Sequence, residues 1–112
     1  MKASSKNAII AARDFLIAYK TLNHEAMYAA CTPTWKSANS LNKLKEHFQN
    51  PISGYKVFSA KKITEVVFDV KVLIKVADGE DKYLIRVIAE TGPFKPSVDG
   101  EQKINPISIR KE

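Results

Sequence analysis

The stretch EVVFDVKVLIKVADGEDKYLIRVIAET, residues 65–91, decides which fold this chain can adopt. Two runs rich in β-branched and aromatic residues flank the dipeptide Asp78-Gly79, and this arrangement is typical of a β-hairpin. A two-residue loop at Asp78-Gly79 would pair Ile74 with Tyr83, whereas a longer loop would pair Ile74 with Ile85. The hairpin is therefore predicted, and two registers remain open.

Each run of the hairpin has one apolar face and one mixed face, because successive side chains of a strand point to opposite sides. The apolar face consists of Val66, Phe68, Val70, Val72, Ile74 and Val76 in the first run and of Tyr83, Ile85, Val87 and Ala89 in the second. The mixed face consists of Val67, Asp69, Lys71, Leu73, Lys75, Leu84, Arg86, Ile88 and Glu90. Either register brings the two apolar faces together, so they predict the buried inner face of a sheet.

Helical patterns precede the strands. Residues 7–22 carry apolar side chains at helical spacing after an N-cap at Ser4 or Ser5, and Asn23 caps a second helix that ends at Thr32-Pro33. A third helix is predicted from Thr34 or Ser37 to Phe48. After residue 54 the pattern changes to strands, and the last of these runs over residues 103–110 with Pro106 at an edge or a bulge. Helices followed by antiparallel strands predict an α+β fold in which the helices pack on one face of a curved sheet.

Size and composition predict a single domain over residues 1–112, with residues 1–6 frayed. Hydrophobic residues make up 45% and charged residues 27% of the chain, as in ordinary globular proteins. No apolar run approaches the roughly 20 residues that span a bilayer. Arg13 and Asp14 interrupt the apolar patch near the N-terminus too early for a cleavable signal, and the lone Cys31 excludes an internal disulfide. A cytoplasmic location is predicted, with an exported mature domain that has lost its signal as the alternative.

The formal charge of +6 raises the question of nucleic-acid binding. The basic residues are scattered, and only Lys61-Lys62 and Arg110-Lys111 are adjacent. Because stacking aromatic residues and basic stripes are not evident, a solvated basic surface is the better interpretation. Nucleic acid is therefore an unlikely partner, although a basic-surface binder remains one of the alternatives.

The order of elements resembles the nuclear transport factor 2-like superfamily, whose cone-shaped, cystatin-like fold wraps a bent sheet around its helices. The segment AARDFLIAYKTLNHEAMYAACTP (residues 11–33) is similar to the opening of that superfamily, and DGEQKINPISI (residues 99–109) is similar to its closing strand. Gln102 stands where a tryptophan is common in the family.

This resemblance implies two kinds of site. Family members often form homodimers through the outer face of the sheet, and the candidate interface residues here are Val67, Leu73, Leu84, Arg86 and Ile88. Many members also have a pocket between sheet and helices, for which the candidate lining residues are Tyr19, Tyr28, Trp35 and Tyr83. The loop of residues 92–100, which presents Phe94 and Lys95, is a candidate contact loop, although an ordinary hairpin connection is the better interpretation.

Enzymes of this kind place a titratable side chain inside the cone, where burial brings its pKa near neutral pH. The predicted inner face has no carboxylate and no histidine, and His24, His47 and Cys31 are too scattered to suggest a metal site. No catalytic residue, metal or cofactor is therefore predicted. The sequence favours a small non-enzymatic binding or assembly module, with a possible protein partner in an assembly. The alternative is a small-molecule binding protein, or an isomerase- or dehydratase-type enzyme, that uses the pocket.

Overall fold

Helices occupy the first half of the chain and strands the second half in a computed structural model that describes residues 2–112. The helices are α1 (Ser5–Lys20), α2 (His24–Ala29), α3 (Pro33–Ala38) and α4 (Leu41–His47). The strands are β1 (Gly54–Lys62), β2 (Val67–Val76), β3 (Gly79–Glu90), β4 (Glu101–Ile104) and β5 (Arg110–Lys111). The helices pack against an open antiparallel sheet, which confirms the α+β class. Within residues 2–112, no helix is long and apolar enough to cross a lipid bilayer.

The first two helices begin where their caps predict. The Ser4 hydroxyl accepts a hydrogen bond from the Asn7 backbone N–H at 3.1 Å. The Asn23 side chain accepts one from the Ala26 N–H at 3.2 Å. Such bonds satisfy backbone donors that have no partner within the helix, so these polar residues fix where each helix starts.

The prediction of one helix from Thr34 or Ser37 to Phe48 is wrong, because this segment forms the two short helices α3 and α4. The Thr32 hydroxyl caps α3 by accepting from the Trp35 N–H at 3.2 Å. Ser40 caps α4 by accepting from the Lys43 N–H at 3.3 Å, and Asn39 before it has extended backbone. Asparagine and serine side chains compete with the helix for backbone hydrogen bonds, which accounts for the break at this point.

The sheet has the order β1-β2-β3-β4, and β5 also pairs with β3. In the central hairpin Val76 pairs with Gly79 and Ile74 pairs with Asp81, so neither predicted register is correct. The two residues that connect the strands are Ala77 and Asp78, while Gly79 belongs to β3. The predicted faces are nevertheless confirmed, because the observed register differs from the predicted ones by an even number of residues and each side chain keeps its side.

The core lies between α1 and the inner face of the sheet. In α1 the buried residues include Ala8, Ala12, Phe15 and Leu16. The buried inner-face residues of β2 and β3 are Phe68, Val70, Val72, Ile74, Ile85, Val87 and Ala89. Burial of these apolar side chains is the main stabilising contribution to this fold. The residues of the mixed face therefore lie on the opposite side of the sheet.

The prediction of a single strand over residues 103–110 is also wrong. Strand β4 ends at Ile104, a short 3₁₀ helix covers Pro106–Ser108, and the two-residue strand β5 follows. Proline has no N–H to donate to a neighbouring strand, so Pro106 cannot continue the ladder. Asn105 starts the 3₁₀ helix, because its side chain accepts from the Ile107 N–H at 3.2 Å.

The N-terminal segment is hydrogen-bonded to β4 and to the loop before it. The Gln102 side chain accepts from the Ser4 N–H at 3.0 Å and donates to the Ser4 carbonyl oxygen at 2.9 Å. The Ala3 N–H donates to the Val98 carbonyl oxygen at 2.6 Å. The predicted fraying of residues 1–6 is a statement about motion in solution, and it stays a prediction. Met1 lies outside the described residues.

Candidate functional site

The outer face of the sheet consists of the mixed residues of β2 and β3 and their neighbours on the other strands. Pairing across β2 and β3 sets Val67 opposite Ile88, Asp69 opposite Arg86 and Lys71 opposite Leu84. The structure thus brings together all five predicted interface residues, Val67, Leu73, Leu84, Arg86 and Ile88, and each is half-buried. Helix α1 packs on the other side of the sheet, against the buried inner residues.

An ion cluster around Asp69 occupies the middle of the outer face. The Asp69 side chain is only 8% exposed, and its Oδ1 lies 3.0 Å from Arg86 Nε. Its Oδ2 accepts from Arg86 Nη2 at 3.2 Å and from Arg110 Nη2 at 3.1 Å. Arg110 reaches the carboxylate because β5 pairs with β3, where Arg110 stands opposite Leu84. One buried carboxylate is therefore shared by two guanidinium groups.

Burial alone would raise the pKa of Asp69, but the hydrogen bonds and charges of Arg86 and Arg110 outweigh it and hold the pKa below its usual 3.8. The hydrogen bond to Asp69 in turn raises the pKa of Arg86. A carboxylate with a lowered pKa stays ionised at neutral pH, so it is poorly suited to accept and return a proton. The cluster therefore orders the face and does not resemble an acid–base site.

Phe58 adds an aromatic ring to the outer face. The pairing of β1 with β2 shifts between Val57 and Ser59, which makes Phe58 the extra residue of a β-bulge. Its side chain is 42% exposed, and the Lys56 and Lys82 ammonium groups lie 5.5 Å and 5.9 Å from its ring centroid. The interface residues predicted from the sequence do not include Phe58. Phe58 stands two residues after Lys56, however, and this spacing could have placed both side chains on the same face of β1.

The predicted pocket residues do not line one common cavity. Tyr19 lines an open cleft of about 680 Å³ between the end of α4 and the tip of the central hairpin, whereas Tyr83 lines a separate cleft of about 300 Å³. Tyr28 and the buried Trp35 form an edge-to-face pair elsewhere, with ring centroids 6.1 Å apart. Burial raises the pKa of Tyr19, and Tyr83 raises it further. Tyr19 and Tyr83 thus line different clefts, and Tyr28 and Trp35 pack against each other.

Cys31 is buried, and its thiol donates to the Met27 carbonyl oxygen at 3.3 Å. Burial raises its pKa to about 12, although Lys36 and Lys103 lower it. The thiolate is the nucleophilic form, so this cysteine is unreactive at neutral pH. His24 is held by a 2.7 Å hydrogen bond between its Nε2 and the Phe48 carbonyl oxygen. Among residues 2–112, no group of three or more His, Cys, Asp and Glu side chains is placed to hold a metal ion.

Glu90 connects the end of β3 to α3 and to the following loop. Although it belongs to the mixed face, it is only 6% exposed, because its carboxylate accepts from the Thr34 N–H at 3.0 Å and from the Thr34 hydroxyl at 2.5 Å. The same hydroxyl oxygen accepts from the Phe94 N–H at 2.8 Å. The structure thus gives Glu90 a structural role that its place in the hairpin pattern did not show.

Comparison of the chain with protein-family models and with curated protein sequences returned no match.

Proposed function

We propose that this protein is a small non-enzymatic binding module of the nuclear transport factor 2-like kind, which forms a homodimer through the outer face of its sheet. The family assignment is supported by the order of helices and antiparallel strands and by the similarity of residues 11–33 and 99–109 to the family's opening and closing segments. A cytoplasmic location remains a prediction from the sequence.

The observation that carries this proposal is the composition of the outer face. The apolar side chains of Val67, Leu84 and Ile88 surround an acidic group that is already neutralised by two arginines, and Phe58 extends the apolar surface onto β1. Interfaces typically combine a central apolar patch with aromatic and arginine side chains. In contrast, the four candidate pocket residues are divided between separate places, which favours an interface over a ligand pocket.

The size of the outer face suits a dimer of this chain. Ten residues of β2 extend over about 33 Å, and four neighbouring strands span about 19 Å, which gives a flat area of roughly 600 Å². A standard stable interface buries about 800 Å² on each partner. The face alone therefore provides most of the area that a stable dimer needs.

The homodimer can be tested by adding a charge to the outer face. We expect the wild-type protein to sediment as a dimer at tens of micromolar, and Ile88→Asp to weaken the dimer at least ~100-fold, because a charged side chain that must lose its water would replace an apolar one between the copies. Within one copy Lys103, which pairs with Ile88, can neutralise the new charge and preserve the fold.

Ile17→Asp is the matched control, since Ile17 is a 49% exposed residue of α1 outside the outer face. It should dimerise like the wild type in sedimentation velocity experiments. A wild-type protein that remains monomeric at these concentrations contradicts the proposed function.

Salt provides a second test, because basic side chains outnumber acidic ones on the outer face. Strand pairing or alternation places these basic residues on it: Lys56, Lys61, Lys71, Lys75, Lys82, Arg86, Lys103 and Arg110. Two copies bring these like charges together, and salt screens their repulsion. We therefore expect the dimer to tighten several-fold when NaCl rises from about 0.05 M to about 0.5 M. Dissociation by added salt would instead show that attraction between opposite charges of the two copies holds the dimer.

A further inference from the structure

Phe94 is the most exposed large apolar side chain in the described part of the chain. Its side chain is 73% exposed, and its backbone has a φ of 60°. This left-handed conformation is uncommon for a residue with a bulky side chain and is usually occupied by glycine or asparagine. Such an outlier persists only where the surrounding structure imposes it, and it is often found at functional positions.

Hydrogen bonds hold the loop around Phe94 in one conformation. The Phe94 N–H donates to the Thr34 hydroxyl oxygen, and that hydroxyl donates to the Glu90 carboxylate. The Lys95 N–H donates to the Gly92 carbonyl oxygen at 3.1 Å, and the Thr91 N–H donates to the Lys95 carbonyl oxygen at 3.0 Å. Pro93 and Pro96 restrict the backbone further. A loop ordered in this way loses little conformational entropy when its side chain becomes buried against a partner.

The loop is attached to the outer side of the sheet. Glu90 follows Arg86 and Ile88 at alternate positions of β3, so its side chain leaves the strand on the outer side. The Glu90 carboxylate accepts from the Thr34 hydroxyl, and that hydroxyl oxygen accepts from the Phe94 N–H, so the backbone of Phe94 is held on that side at the end of β3. The exposed ring therefore belongs to a residue whose backbone is held on the outer side of β3, which is the side of the proposed interface.

Burial of the Phe94 ring would add the area by which the outer face falls short of a standard interface. The face provides roughly 600 Å², and an aromatic residue buries about 150–250 Å² when it is enclosed. Together they reach the roughly 800 Å² per partner of a standard interface. Aromatic residues are enriched among those that dominate binding energy.

We propose that Phe94 is the anchor residue of the homodimer, inserted against the second copy, and that Thr34 is the positioning residue that holds it in place. This inference rests on the proposed function, because it requires the homodimer to form. A second copy of this chain is therefore the partner of Phe94, because the area of the ring and that of the outer face together match what a stable dimer needs.

The test is sedimentation and dilution calorimetry of variants of the full chain. We expect Phe94→Ala to weaken the dimer about 100-fold or more, since each interface loses two anchors. The thermal unfolding temperature of the monomer should not fall, because the ring is mostly exposed. Ile17→Ala, which removes an exposed apolar side chain from α1, should leave the dimer unchanged.

The positioning role has a separate readout. Thr34→Val removes the hydroxyl but keeps the backbone N–H that binds Glu90, and we expect it to weaken the dimer about 10-fold with Phe94 still present. Thr34→Ser restores the hydroxyl and should restore dimerisation.

The outcomes distinguish the two proposals. A wild-type dimer that Ile88→Asp dissociates but Phe94→Ala leaves intact would overturn the anchor and retain the proposed function. A wild-type monomer would overturn both. Dissociation by Phe94→Ala, with an unfolding temperature equal to that of the wild type under dilution that makes both proteins monomeric, is the result that supports the anchor. Thr34→Val should reproduce this dissociation in part, and Thr34→Ser should reverse it.

Discussion

Replacing Gly100 by alanine is expected to lower the free energy of unfolding by about 3 kcal/mol or more. A Cβ added at Gly100 would lie 2.5 Å from the backbone N and O atoms of Glu90, closer than real Cβ atoms approach other atoms. Both partners are backbone, so no flexible side chain can move away to make room. The loop before β4 would have to shift, and the pairing of Glu90 with Glu101 would be disturbed.

Urea unfolding followed by circular dichroism measures this change, and Gly92→Ala is the matched control. The nearest atom to a Cβ at Gly92 is Cδ of the flexible Lys95 side chain at 3.8 Å, which is an ordinary contact. Gly92→Ala should therefore change the free energy of unfolding by less than about 1 kcal/mol. Equal effects of the two substitutions would contradict this account of Gly100.

Asp69→Asn is expected to lower the free energy of unfolding by about 2–3 kcal/mol near pH 7. The substitution removes the charge that Arg86 and Arg110 share and replaces one acceptor oxygen by an amide donor. Two arginines would then lie at the middle of the outer face without a carboxylate. Because both arginine side chains are partly exposed, water compensates for part of the loss, which keeps the effect below that of a fully buried pair.

The effect of Asp69→Asn should depend on pH. The pKa of Asp69 is lower in the folded protein than its ordinary value of 3.8, so its carboxylate stabilises the fold above that pH. This stabilisation is lost as the pH falls through the folded-state pKa. The difference between wild type and Asp69→Asn in urea unfolding should therefore shrink as the pH is lowered below 3.8.

Asp81→Asn is the control for the pH series. Asp81 pairs with Lys111, but both side chains are more than half exposed, so its loss should cost less than about 0.5 kcal/mol. A wild-type protein no more stable than Asp69→Asn near pH 7 would show that the Asp69 charge does not stabilise this fold.

The sequence predicted the faces of the sheet better than the contacts between distant segments. Inner and outer residues of β2 and β3 could be assigned because the alternation of side chains depends only on neighbouring positions. The register of the hairpin could not be predicted, since it depends on whether Gly79 lies in the turn or in β3. Similarly, local caps at Ser4 and Asn23 were predicted correctly, while the break at Asn39-Ser40 was missed because helical spacing of apolar residues continues across it.

The candidate site shows the same limit. Arg86 could be placed on the outer face, but the second ion pair of Asp69 could not be found, because Arg110 reaches it only through the separate strand β5. The contact between Glu90 and Thr34 joins residues 56 positions apart. A pattern of neighbouring residues contains no information on such a pair, and so the role of Thr34 in holding Phe94 became visible only in three dimensions.

The hydrogen bonds between Ser4 and Gln102 also constrain the order in which the chain can fold. They join residues 98 positions apart, and α1 begins directly after Ser4. Contacts of such long range close slowly, because a large loop must be ordered before they form. During synthesis α1 leaves the ribosome well before β4 does. The docking of the apolar side of α1 onto the sheet is therefore complete only after β4 has been synthesised.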